Sequence, residues 1–107
     1  MDFGITPRDL NASIVAGEPL VLLDVREGWE VEKAPFPGVL HIPMGDIPSR
    51  IHQEVDPDEH IIVICHHGVR SLNVTHWMRQ AGMEKAQSLS GGIDSWSQMI
   101  DPTVPRY

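Results

Sequence analysis

A chain of 107 residues, 41% hydrophobic and 21% charged, carries enough apolar surface for one compact core and lacks the charge bias of a disordered segment. Eight basic and fifteen acidic side chains give a net charge of −7, a field that repels phosphate backbones and anionic lipid, so neither nucleic acid nor a membrane is an expected partner. One cysteine rules out an internal disulfide framework and suits a reducing compartment. With no basic, apolar leader at Met1–Thr6 and no stretch approaching about 20 apolar residues, a cytoplasmic protein is expected.

Thr6-Pro7-Arg8-Asp9 reads as a helix start, with a hydroxyl cap, proline in the first turn and a carboxylate behind it. Leu10, Ile14 and Val15 supply an apolar stripe that Gly17 ends. Leu20-Val21-Leu22-Leu23-Asp24-Val25 lacks the alternation of a half-exposed strand and reads as one covered on both faces. A short helix is expected over Glu27 to Lys33, a turn at Pro35 to Gly38, and an extended run at Val39-Leu40-His41-Ile42 closed by Pro43. Gly45 to Ile51 allows one or two helical turns before the polar turn Asp56-Pro57-Asp58-Glu59.

Ile61-Ile62-Val63-Ile64-Cys65 is the strongest strand signal in the chain, and it ends at the cysteine. From Ser71 the period becomes helical, with Val74, Trp77, Met78 and Ala81 on one face and Gly82 placed to stop the helix. Ala86 to Leu89 is a shorter strand, Gly91-Gly92 a turn, and Ile93, Trp96, Met99 and Ile100 mark a last helix. Buried strands alternating with amphipathic helices predict an α/β fold, largely parallel, with helices on both faces. Ligands of such sheets gather beyond the carboxyl ends of the strands, where Cys65 lies.

A thiolate becomes a useful nucleophile where positive potential stabilises it, and a strand-loop-helix junction offers unpaired N–H groups and a helix dipole for that purpose. Gly68 permits backbone angles that let successive N–H groups converge above the sulfur, and Arg70 adds a permanent cation at the rim. The competing reading makes Cys65 a small buried hydrophobe and Arg70 a solvated charge. For Ser71 two roles are open, capping the next helix or adding a hydroxyl to the site.

The segment Cys65-His66-His67-Gly68-Val69-Arg70-Ser71 resembles the active-site loop of the rhodanese family, cysteine-x-x-glycine-x-arginine-serine. Leu22-Leu23-Asp24-Val25-Arg26-Glu27 is similar to the family's strand-ending Asp-x-Arg motif, Pro37-Gly38-Val39-Leu40-His41-Ile42-Pro43 to its Pro-Gly-Ala-x-x-Ile-Pro segment, and Leu89 to Trp96 to its Gly-Gly-x-x-x-Trp ending. Four motifs in family order make chance similarity improbable. The sequence departs from the family at Val39, where alanine is usual, and in having Phe36 where a histidine often precedes the Pro-Gly turn.

The resemblance implies a rhodanese-like fold with a five-stranded, mostly parallel sheet, formed as a single domain over residues 1–107. It also implies a thiosulfate sulfurtransferase type of double displacement without cofactor or metal. Cys65 takes the outer sulfur of a small donor, thiosulfate or a persulfide, and passes it from a persulfide to cyanide or a thiol. The N–H groups of His66, His67, Gly68, Val69 and Arg70 stabilise the anionic persulfide, Arg70 holds departing sulfite, and Ser71 completes the substrate-binding loop.

Two further functions compete: a persulfide carrier delivering sulfur to a protein partner in cofactor or tRNA thiolation, and a non-catalytic binding or redox-sensing module. Intact Cys65, Gly68 and Arg70 speak against the module. Cysteine phosphatases place five residues between cysteine and arginine, and this loop has four. His66 and His67 are expected to point apart, which disfavours a metal site and leaves their side chains on the rim, where protonation would favour an anionic donor. Asp24 and Arg26 are expected to form a structural ion pair, Trp77 and Trp96 to lie in the core, and Trp29 is a candidate pocket wall.

Overall fold

Thr6 caps the first helix as its sequence predicts, its hydroxyl oxygen accepting from the Asp9 N–H at 3.1 Å. The computed structural model describes all 107 residues. In chain order they form β1 (Gly4–Ile5), α1 (Pro7–Val15), β2 (Val21–Asp24), α2 (Gly28–Lys33), β3 (Leu40–His41), a 3₁₀ turn (Met44–Asp46), α3 (Ile47–Glu54), β4 (Ile61–Ile64), α4 (Val69–Gln80), β5 (Ala86–Leu89) and α5 (Gly92–Met99). The strands make one sheet in the order β1-β5-β4-β2-β3, and every pairing is parallel.

β4 is the middle strand, which explains why its sequence is apolar without alternation: both of its faces are covered. Ile61, Val63 and Cys65 pack with Ile47 and Ile51 of α3 and Val74 and Met78 of α4. Ile62 and Ile64 turn to the opposite face, against Leu10 of α1 and Ile93 and Trp96 of α5. The register Asp24↔Ile64 between β2 and β4 brings Asp24, Arg26 and Cys65 to the same sheet end. The anticipated α/β architecture with helices on both faces is therefore present.

Two expectations about burial are corrected. Ile14 and Val15 on the predicted stripe of α1 are 40% and 79% exposed, and only Pro7 and Leu10 of that short helix are buried. Trp77 is 37% exposed and lines a shallow apolar groove of about 180 Å³ with Met44, Ile47 and Val74, whereas Trp96 is buried as expected. The edge strand β1 has two residues and left no periodic signal in the sequence.

Asp24 and Arg26, both fully buried, form the anticipated ion pair: Arg26 Nη2 lies 2.8 Å from Asp24 Oδ2 and also donates to the Ala34 carbonyl at 2.8 Å. The guanidinium thus ties the end of β2 to the end of α2. Breaking a buried pair leaves an uncompensated charge, so Asp24→Asn should cost about 3 to 5 kcal/mol in chemical denaturation. Unchanged stability would show that the pair is dispensable to the fold.

Candidate active site

Cys65 follows β4 directly and is 1% exposed. Its Sγ accepts from the Gly68 N–H at 3.1 Å and the Ser71 N–H at 3.3 Å. Gly68 has φ +104, a conformation that lets the chain curl back over the sulfur; an added Cβ there would lie 3.2 Å from the Gly91 nitrogen. His66, His67, Val69 and Arg70 follow the sulfur round the loop, and their N–H groups donate to no protein acceptor. The loop and the start of α4 together present an anion nest.

Why the carbonyls stay out of this nest is decided by a different element. The Ile93 N–H of α5 donates to the Cys65 carbonyl at 2.9 Å, and the Asp94 N–H donates to the His66 carbonyl at 3.1 Å. The first turn of α5 therefore holds the loop oxygens on its outer side. Gly91-Gly92, anticipated as a turn, makes that approach possible, since a Cβ on Gly92 would lie 2.4 Å from the His66 oxygen.

Of the two roles open to Ser71, the structure places its hydroxyl in the site. Ser71 is fully buried; its Oγ receives the Cys65 thiol contact at 3.3 Å, donates to the Gly68 carbonyl at 3.2 Å and pairs with Ser88 Oγ at 2.7 Å. Gly68, not Ser71, occupies the N-cap of α4. Val69, by contrast, is 71% exposed and offers its backbone to the nest and its side chain to solvent.

Arg70 reaches the rim, but not as a free cation. Its Nη1 and Nη2 each donate to a Glu30 oxygen at 2.8 Å, with the Glu30 side chain 5% exposed. Glu30 Oε1 also accepts from the Tyr107 hydroxyl at 2.9 Å, and Oε2 from the Glu27 N–H at 2.9 Å. Tyr107 in turn accepts from Arg26 Nη1 at 3.1 Å and stacks on His66, ring centres 3.8 Å apart and planes within 6°. A chain of contacts thus runs from Asp24 through Arg26, Tyr107 and Glu30 to Arg70.

The Arg70 hydrogen bonds outweigh the opposing effect of burial and hold the Glu30 carboxyl down at about 2, with the Glu27 N–H and Tyr107 hydroxyl assisting. The same pair raises Arg70 further above the ordinary arginine range. A carboxyl depressed on folding stabilises the protein above its ordinary value of 4.5 and loses that contribution as pH falls through about 2. Glu30→Gln should accordingly remove a component on the order of 2 to 3 kcal/mol from the acid side of the stability profile. Superimposable acid-unfolding curves for the two proteins would contradict this.

Neither Glu30 nor Tyr107 was among the candidate residues. Glu30 had one legible signal, the Glu27-x-x-Glu30 spacing that here closes a capping box at the start of α2. Tyr107 had none, because its partners lie 77 and 81 residues away in sequence. Trp29 is 62% exposed and meets the Tyr107 ring edge-on at 6.1 Å, so it flanks the tyrosine without entering the nest.

The histidines differ from expectation. Their rings stack, with centres 3.8 Å apart, instead of pointing away from each other. Burial, then the neighbouring His67, lowers His66 from its ordinary value, which opposes the protonation expected at the rim. Ligand atoms of His66, His67 and Asp94 come within 4.8 Å of one another, but the Asp94 carboxylate is held by Arg106 at 2.9 Å and Gln98 at 2.9 Å. No helix is long and apolar enough to cross a membrane.

Comparison with known proteins agrees with this geometry. Residues 6–99 match the Rhodanese-like domain family. YtwF of Bacillus subtilis, whose name classes it with the sulfurtransferases, is 37% identical over 98 residues, covering 92% of this chain and 93% of that protein. YrkF of the same organism, named as a sulfur carrier protein, is 40% identical over 80 residues, 75% of this chain and 43% of YrkF. The crystal structure of SSP1007 from Staphylococcus saprophyticus superposes with a TM-score of 0.82 at 29% identity, covering 92% of this chain and 97% of that one. A family match spanning most of the chain, relatives named for sulfur transfer and carriage, and a parallel sheet ending in this loop establish that the chain belongs to the rhodanese-like family.

Proposed function

We propose that the protein is a cytoplasmic sulfurtransferase in which Cys65 carries sulfur as a persulfide. The observation that supports this reading best is the Cys65 sulfur lying under the Gly68 and Ser71 N–H groups at 3.1 and 3.3 Å, at the start of α4. Those donors stabilise negative charge on the attacking Sγ, and the unengaged N–H groups of the loop stabilise it on the outer sulfur of the persulfide.

In the first half-reaction the Cys65 thiolate attacks the outer sulfur of the donor. One sulfur–sulfur bond forms as another breaks, and sulfite leaves from thiosulfate or a thiolate from a persulfide. In the second, cyanide or an acceptor thiolate attacks the outer sulfur of Cys65–S–S⁻ and regenerates the thiolate. Similarity to YrkF favours a second reading, in which the acceptor is a protein and turnover with small acceptors is slow.

One experiment tests the sulfur-transfer step common to both readings. The protein is treated with thiosulfate or glutathione persulfide, desalted, weighed by mass spectrometry and then exposed to cyanide. A gain of one sulfur atom, released as thiocyanate, is expected. No labile increment with either donor would refute both readings.

A further inference from the structure

Each arginine bonded into the neighbourhood of the nest is matched to a carboxylate. Arg26 is paired with Asp24 at 2.8 Å, Arg70 with Glu30 at 2.8 Å, and Arg106 with Asp94 at 2.9 Å. Positive potential at the sulfur therefore comes from backbone N–H groups and the start of α4, within a chain of net charge −7. A binding site built to attract a dianion would leave its rim cation free. Here each terminal nitrogen of Arg70 gives one N–H to Glu30, so its charge is matched by a carboxylate that two further donors, Tyr107 Oη and Glu27 N, hold in place.

We propose that Glu30 selects the sulfur donor: by holding both terminal nitrogens of Arg70 it disfavours doubly charged donors such as thiosulfate and favours persulfides of small thiols. This inference rests on the sulfurtransferase reading above and names the donor class for it. With thiosulfate, Cys65–S⁻ attacks the outer sulfur, the S–S bond breaks and SO₃²⁻ departs, so two negative charges must enter and leave past Glu30. With a persulfide R–S–SH, the same attack yields Cys65–S–SH and R–S⁻, and the leaving group carries one charge. Both equations balance without an external oxidant or reductant. Only the first needs a cation that is not already matched.

Glu30→Gln tests the proposal, because the amide keeps an oxygen for the Glu27 N–H while removing the charge that neutralises Arg70. Second-order rate constants for loading Cys65 from thiosulfate and from the persulfide of 2-mercaptoethanol, a thiol with no other charged group, are read by mass spectrometry of quenched samples. The thiosulfate-to-persulfide ratio should rise about tenfold in the variant, as expected for one unmatched cation facing a dianion in a partly desolvated site. A purely structural role for Glu30 would slow both donors together and leave the ratio unmoved, which would overturn the proposal.

Should the variant fail to fold, the wild-type protein supplies the answer through inert sulfate as a competitor of persulfide loading at constant ionic strength. Millimolar sulfate should not slow loading, and inhibition at submillimolar concentration would show a free dianion site and overturn the proposal. A wild-type Cys65 that loads from neither donor refutes the sulfurtransferase reading itself. A loaded Cys65 with an unmoved ratio refutes donor selection alone.

Discussion

Cys65→Ser is expected to carry no cyanide-labile sulfur and to lose at least about a thousandfold in turnover, because a hydroxyl neither ionises at neutral pH nor forms a stable bond to sulfane sulfur. The fold should survive. Cys65 contributes to the core on the α3/α4 face, but its sulfur sits where the Gly68 and Ser71 N–H groups already point, and a serine oxygen accepts those bonds in its place. Mass spectrometry after donor treatment and thiocyanate release measure the chemistry, and thermal unfolding within a few degrees of wild type controls for structure. A serine variant that still accumulated labile sulfur would remove Cys65 from the reaction, since no second cysteine exists to take its place.

Gly92→Ala is expected to be the most damaging substitution that touches no reacting atom. The new Cβ would lie 2.4 Å from the His66 oxygen and 2.6 Å from the Cys65 oxygen, at a residue whose φ of +63 is already unfavourable for alanine. Neither oxygen is free to retreat, because α5 itself binds both through the Ile93 and Asp94 N–H groups. Backbone strain and overpacking together should cost about 4 kcal/mol, lowering the unfolding midpoint by roughly 15 °C or more in a domain of this size. Sulfur loading in the remaining folded protein should slow at least about tenfold, since rotating the loop carbonyls inward opposes the thiolate.

Gly17→Ala serves as the control. Gly17 also has positive φ, +72, but nothing lies within 4 Å of its added Cβ, so only the conformational cost of about 1 kcal/mol applies. Equal losses in the two variants would mean that contact with the loop carbonyls is not what makes Gly92 necessary. The comparison separates the backbone angle from the close approach.

Arg70 illustrates how far a motif carries an argument. Its spacing from Cys65 placed it at the rim, where it lies, but the motif is silent on what the guanidinium touches. The partner is Glu30, 40 residues earlier, on a helix that reaches the rim only because β2 pairs beside β4 in the sheet. A free cation and a neutralised one have the same local sequence. They differ in the charge the donor meets.

The sequence by itself determined the elements whose signals are local. An apolar run with no alternation marked β4 as doubly covered, the change of period after Ser71 marked α4, and the position of Cys65, Gly68 and Arg70 between them marked the loop. Tertiary structure alone decided the matters set by long-range proximity. Two residues are too few to show a period, so β1 emerged only through its pairing with β5. The exposure of Ile14, Val15 and Trp77 depended on where neighbouring helices end, and the contacts of Tyr107 spanned most of the chain. The charge state of the rim belongs to this second group: opposite charges cancel according to distance in space, and residue order records none for Glu30 and Arg70.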